Sequence, residues 1–260
     1  MERSRRRFLK TAGLAAAALG AAPAVKSLAV QPKEMPSPKA FKGQHWAMIV
    51  DMRKLTEEDI AAAVKACHTV HNVPQIPSIK EEIKWIWPAE YENAFPGQAT
   101  RYANLPEKFH HKQFPLLCNH CENPPCCRVC PTAATFKRAE DGIVVMDFHR
   151  CIGCRFCMAA CPFGARSFNF SDPRAYLPNG QAPNPEFPTR AKGVVEKCNF
   201  CAERLAVGQV PACVEAVKSG ALAFGDLADP ESQVRKLLRE NFAIRRKAEL
   251  GTGPNVYYIV

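Results

Sequence analysis

No stretch of this 260-residue chain is long and apolar enough to span a bilayer by itself. The apolar run from Ala12 to Ala22 falls far short of the ~20 residues a membrane helix needs. Membrane contact would therefore come through a partner. Nucleotide and hydrolytic motifs are missing as well: there is no glycine-rich phosphate loop, no dinucleotide fingerprint and no metalloprotease helix. Substrate turnover is assigned to other chains, and this one is expected not to be an enzyme. Acids are also scarce, 25 against 35 Lys and Arg, for a formal charge of +10.

Such a charge suggests nucleic acid until it is located. Arg3, Arg5, Arg6, Arg7 and Lys10 against Glu2 make a net +4, so +6 of the +10 falls on residues 11–260. Ser4-Arg5-Arg6-Arg7-Phe8-Leu9-Lys10 and the apolar run after it resemble a twin-arginine export signal, expected over residues 1–30. Cleavage is open between the small-residue sites ending at Ala24 and Ala29.

What the chain has in excess is cysteine: thirteen, mostly in short runs. Each run closes on a related phrase. Cys130-Pro131-Thr132-Ala133 leads to Phe136, Cys161-Pro162-Phe163-Gly164 to Phe168, and Val217-Lys218-Ser219-Gly220 to Phe224, with valine in the cysteine place. Strands are expected at Trp46–Asp51, at 143–147 and at 194–197. Thr56 is expected to cap a helix through Cys67, with Asp59 completing a capping box. A helix is read from Asp226 through Val234, Leu237, Leu238 and Phe242, and the apolar ending 256–260 is open between a strand and a docking tail.

Cys151-x2-Cys154-x2-Cys157-x3-Cys161-Pro162 matches the bacterial ferredoxin run, in which three cysteines hold one [4Fe-4S] cube and the fourth reaches the other. Its partner run is Cys118-x2-Cys121-x4-Cys126-x3-Cys130-Pro131. Crossed ligation assigns Cys151, Cys154, Cys157 and Cys130 to one cluster, and Cys118, Cys121, Cys126 and Cys161 to another. Zinc does not call for a triple run plus a crossing Cys-Pro.

Cys198, Cys201 and Cys213 leave one ligand short, and Cys67 stands alone. Taken as the crossing ligand of a degenerate run, Cys67 completes that site. Ile60, Ala63 and Val217 then occupy the positions of a lost fourth site. Three [4Fe-4S] clusters follow, whose charge of about −6 offsets the basic excess. The alternative is a three-cysteine [3Fe-4S] centre with Cys67 a free thiol. Cys127 fits no run and is read as packing; His120 is read as a hydrogen-bond donor beside the cluster, and Trp85 and Trp87 as core or interface anchors.

Four runs in two ferredoxin-like pairs, with the long gap through Pro211-Ala212-Cys213, resemble the four-cluster iron–sulfur subunits of the dimethyl sulfoxide (DMSO) reductase family. The leader, the absent cluster, Asn184-Pro185-Glu186-Phe187-Pro188-Thr189-Arg190 and the ending Pro254-Asn255-Val256-Tyr257-Tyr258-Ile259-Val260 resemble most the periplasmic members serving sulfur-metabolising membrane complexes. The resemblance implies a quinone-interacting membrane subunit and a multihaem cytochrome c as partners, and a place on the outer face of the cytoplasmic membrane.

The fold class expected is α+β, with two ferredoxin-like double-cluster modules. Residues 42–71 with 193–225 form one half holding a single cluster, 113–170 hold two, 72–112 and 171–192 are insertions, and 226–260 is a C-terminal docking segment. Anaerobically purified protein is expected to carry about twelve irons; a reproducible count near eight in metal analysis would remove the third site.

Overall fold

The computed structural model describes residues 37–96 and 111–260. The export signal expected at 1–30 and residues 97–110 of the first insertion lie outside the described residues. The architecture is α+β.

The first strand, β1 (Trp46–Asp51), is buried along its whole length, as its apolar composition requires. Helix α1 (Glu57–Val70) follows. Thr56 accepts from the Asp59 N–H and the Asp59 carboxylate accepts from the Thr56 N–H, a complete capping box. Ile60, Ala63 and Cys67, spaced by three and four, share the buried face of α1. Ile60, Ala63 and Val217 all lie in the main core.

The remaining strands repeat one device. Strand β2 (Ile86–Glu90) pairs antiparallel with β3 (Gln113–Leu117), which delivers Cys118. Strand β4 (Thr135–Lys137) leaves that run and pairs with β5 (Val144–Met146), which leads to Cys151. Strand β6 (Ser167–Phe168) pairs with β7 (Val195–Glu196), which leads to Cys198. Strand β8 (Leu222–Asp226) then pairs with β1, so the last run is tied back to the segment that leads to Cys67. Every cysteine run is thus held between two antiparallel pairs, and the series closes on itself.

The turn after each run is also shared. Ala133, Gly164 and Gly220, each three residues beyond Cys130, Cys161 and Val217, have φ of 51°, 64° and 69°. The copy that lost its cysteine has kept the backbone.

The C-terminal residues complete the sheet that contains β1. Helix α2 (Gln233–Glu240) packs Val234 against Ile49, Ala223 and Ile259. It ends before Phe242, contrary to the helical reading of 226–242, because Asn241 is extended and the chain turns into β9 (Ala243–Ile244). Asp226 belongs to β8 rather than to the helix. Residues 256–259 form β10, parallel to β1 and antiparallel to β9, giving the order β8-β1-β10-β9. Residues Ser37–Val260 pack as one unit, with no boundary between two modules.

The two insertions meet at the end of α1. Asn72, with φ of 50°, donates to the Asn184 and Phe187 carbonyls and accepts from the Asn184 N–H. Arg190 and Glu196 form a fully buried ion pair at 2.6 Å, and Arg190 also donates to the carbonyls of His71 and Asn72. Glu196 additionally accepts from Trp85 Nε1 at 2.8 Å and Asn169 Nδ2 at 2.7 Å, so Trp85 is a core anchor. Deleting one partner of such a buried pair would strand the charge of the other.

Thr56→Ala removes one cap bond from α1. We expect a loss of about 1 kcal/mol in that helix, read as roughly fivefold faster hydrogen exchange at the amides of residues 58–60.

Candidate metal centres

Three Cys-x-x-Cys loops share one backbone twist. The residue just before the second cysteine is left-handed in each: His120 at 41°, Gly153 at 70° and Phe200 at 55°. For His and Phe this conformation costs on the order of 1 kcal/mol, so the surrounding structure imposes it. Backbone N–H groups face sulfur: within one twisted loop Phe200 N–H donates to Cys198 Sγ at 3.5 Å, and from other segments Ala212 N–H donates to Cys201 Sγ at 3.4 Å and Val195 N–H to Cys151 Sγ at 3.5 Å.

The cysteines gather in three groups. Cys67, Cys198, Cys201 and Cys213 are all buried, and burial, then the neighbouring sulfurs of the other three, push the Cys67 thiol well up. Cys118, Cys121, Cys126 and Cys161 line one cavity; burial and Cys118 push Cys121 up to about 12. Cys130, Cys151, Cys154 and Cys157 line another. The groups are neighbours in that order: besides burial, Cys118 raises Cys198, and Cys126 raises Cys157.

Two cations beside these thiols have no carboxylate to pair with. Lys197, 1% exposed, donates from Nζ to the carbonyls of Cys198 and Val144. Arg166 donates to Thr135 Oγ1 at 2.7 Å and lines the cavity of Cys118 and Cys126. Neither has an ion-pair partner among the described residues. Burial alone would lower the Arg166 pKa, but the thiolates of Cys126, Cys157 and Cys118 raise it. Cys126 is drawn down by a hydrogen bond from Cys127 and by Arg166 and Lys197, and the same bond pushes Cys127 up. A buried cation needs an anion nearby. Asn119, lining the same cavity, has both amide atoms unbonded among the described residues. Soft sulfur donors, unpaired cations and idle polar groups together fit an anionic metal–sulfur group.

The family described as a 4Fe-4S dicluster domain matches residues 109–174 and 184–227, which contain every cysteine except Cys67. The chain is 43% identical to the Hdr-like menaquinol oxidoreductase iron-sulfur subunit 1 of Archaeoglobus fulgidus, covering 98% of this chain and 97% of that one. It is 35% identical to the menaquinone reductase iron-sulfur cluster-binding subunit of Nitratidesulfovibrio vulgaris, covering 86% and 92%. With the arsenate respiratory reductase iron-sulfur subunit ArrB of a Shewanella species it shares 34% identity over 82% of this chain and 94% of the relative.

The chain belongs to the iron–sulfur subunits of the DMSO-reductase-type respiratory complexes. It is an electron-transfer subunit and not a catalytic one.

In this iron–sulfur subunit several groups beside the cysteines escaped the sequence reading. His71 caps the C-terminal end of α1, one turn beyond Cys67, with Nδ1 2.8 Å from the Cys67 carbonyl and 3.6 Å from its sulfur. Its Nε2 meets the Glu203 carboxylate at 2.8 Å, which, with Asn199, holds Glu203 below the usual carboxylate range against the effect of burial. Ligand atoms of His71, Cys201 and Glu203 all lie within 4.8 Å of one another. The i,i+4 relation of Cys67 and His71 was visible in the sequence; the approach of Glu203 was not, because it depends on a contact across 132 residues.

His120 stacks on Phe200 at 3.7 Å, and its Nδ1 accepts from the Val144 N–H at 3.2 Å. Burial, then Lys197 and Arg166, hold its pKa well below the usual value. Cys127 packs with Thr135 and Cys126 and does not line the cavity of Cys118.

Gly153 separates conformation from space. His120 and Phe200 show that a side chain tolerates the twist, but a Cβ on Gly153 would run into the Gly193 carbonyl oxygen. Gly153→Ala is expected to lower iron retention by about a third, measured as iron per protein, with the remaining redox signals unchanged.

Proposed function

We propose that the three cysteine groups each hold one [4Fe-4S] cluster: Cys67, Cys198, Cys201 and Cys213; Cys118, Cys121, Cys126 and Cys161; and Cys151, Cys154, Cys157 and Cys130. The chain then relays electrons between a quinone-interacting membrane subunit and a multihaem cytochrome c. The observation that carries this reading is the pairing of each four-cysteine group with buried cations or backbone N–H donors and no carboxylate to balance Arg166 or Lys197. When bound, such clusters supply one-electron carriage over a wide range of potentials.

The protein's own part is to keep everything else still. Backbone N–H groups aimed at Cys151, Cys198 and Cys201 stabilise negative charge on sulfur. Arg166 stands between the second and third groups, and Lys197 between the first and second, so charge added at either neighbour is attracted to a fixed cation. Burial of the whole first group and of Cys118, Cys121 and Cys126 in the second keeps water away, which limits reorganisation when charge moves.

Within the family, the reading is a DsrO-like subunit of a DsrMKJOP or Hme-type complex in sulfur metabolism. It is exported by the twin-arginine route and attached to the outer face of the cytoplasmic membrane through its partners. Its similarity to a menaquinol oxidoreductase subunit over nearly both full lengths supports a quinone-linked partner. The similarity to the iron–sulfur subunit of an arsenate respiratory reductase favours a second reading, delivery of electrons to a periplasmic molybdopterin enzyme or hydrogenase. Which large subunit co-purifies from the native membrane distinguishes the two.

Cys67→Ala tests the three-cluster assignment. Iron is expected to fall from about twelve toward eight, with loss of one paramagnetic signal in a redox titration. Loss of a signal from the Cys118 or Cys151 group instead would overturn the crossed ligation. An unchanged spectrum would leave Cys67 a free thiol beside a three-cysteine centre.

A further inference from the structure

The three cysteine groups differ sharply in exposure. All four cysteines around Cys67 are buried, and so are Cys118, Cys121 and Cys126. Cys154 is exposed, with Cys130 and Cys151 half-buried. The terminal group of the series therefore opens to the surface through Cys154.

The surface around that opening is apolar. Ile152 and Phe156, which flank Cys154 in sequence, are 66% and 60% exposed, and Val129, beside Cys130, and Phe170 are exposed too. Isolated exposed apolar residues are ordinary, but a group around one opening marks a contact surface.

The rim is cationic. Arg155 lines the cavity and lies over the Phe168 and Phe170 rings at 5.3 and 5.7 Å. Arg128 and Arg150 precede Cys130 and Cys151 closely, and Lys192 adjoins Gly193, whose carbonyl abuts Gly153. All four are exposed. Arg150 pairs with Asp147 at 3.3 Å; no carboxylate among the described residues is within ion-pair distance of the other three.

We propose that this face docks a redox protein whose cofactor edge is ringed by carboxylates. The inference rests on the cluster reading above and adds the partner's chemistry and the end of the chain at which it binds. An apolar centre with a charged rim gives close approach over the opening, and opposite charge on the partner orients the encounter. Electron exchange needs that proximity and moves no atom: one electron lost on one side is gained on the other. A cationic, aromatic surface also fits an anionic membrane, but the narrow opening over Cys154, the one exposed cysteine of the series, suits a protein that brings a cofactor edge to it.

The test uses anaerobic holoprotein with iron and sulfide measured. Two probes are compared: the soluble haem domain of cytochrome b5, with a carboxylate-rich haem edge, and cytochrome c, with a lysine-rich one. Binding and electron-exchange rates are followed as salt rises. Cytochrome b5 is expected to bind preferentially and to weaken at least about tenfold between roughly 50 and 200 mM salt.

Arg128→Glu with Lys192→Glu is expected to remove that preference at unchanged iron content. Arg235→Glu with Lys236→Glu on α2, the same change in net charge elsewhere, is expected to leave it. Equal loss in both variants, or no preference for cytochrome b5 by protein that holds its iron, would overturn the docking surface while leaving the clusters intact. Sedimentation with phosphatidylglycerol vesicles that is abolished only by the Arg128 and Lys192 reversals would reassign the face to a membrane. Protein without iron and sulfide would sink the cluster reading itself and this inference with it.

Discussion

Charge balance inside the protein governs this structure. Arg166 and Lys197 are buried among cysteines with no carboxylate to meet them, and most of the surrounding thiols are pushed toward the neutral form by burial. Leaving two cations in that state is costly. Anionic metal–sulfur groups reverse the sign of the problem: they deprotonate the thiols and turn both cations into counterions. The basic excess of the chain then belongs partly to its interior, and the four exposed cations around Cys154 form a separate population facing outward.

The repeat was legible because its causes are local. Cys-x-x-Cys spacing, the small residue three places after each Cys-Pro, and the capping box at Thr56 each act over a few residues, and the chain shows the corresponding twists and bonds. The pairing of strands across successive runs follows from the same order. The helix expected to reach Phe242 illustrates the limit of periodicity: Phe242 continues the apolar spacing, but pairing of β9 with β10 draws the segment into the sheet.

What could not be read depends on distant contacts. His71 meets Glu203 across 132 residues, and Arg190 meets Glu196 and Trp85, and Asn72 locks to Asn184, where the two insertions pack on the end of α1. In sequence Arg190 is one basic residue in a proline-rich stretch. In the fold it is wholly buried, holding the carbonyls that follow the helix carrying Cys67. The insertions therefore support the first cysteine group directly.

The closure of the strand series has a consequence for how the protein is made. Strand β1 is wholly buried, yet its neighbours are β8, more than 170 residues later, and β10, at the end of the chain. At ribosomal speeds of about 5–20 residues per second, β1 waits on the order of ten to forty seconds for its partners. During that interval a sticky apolar segment must be shielded, and the sulfur of Cys67 has nothing to share. Any group shared by Cys67 and Cys213 can be completed only once both lengths of chain have been made.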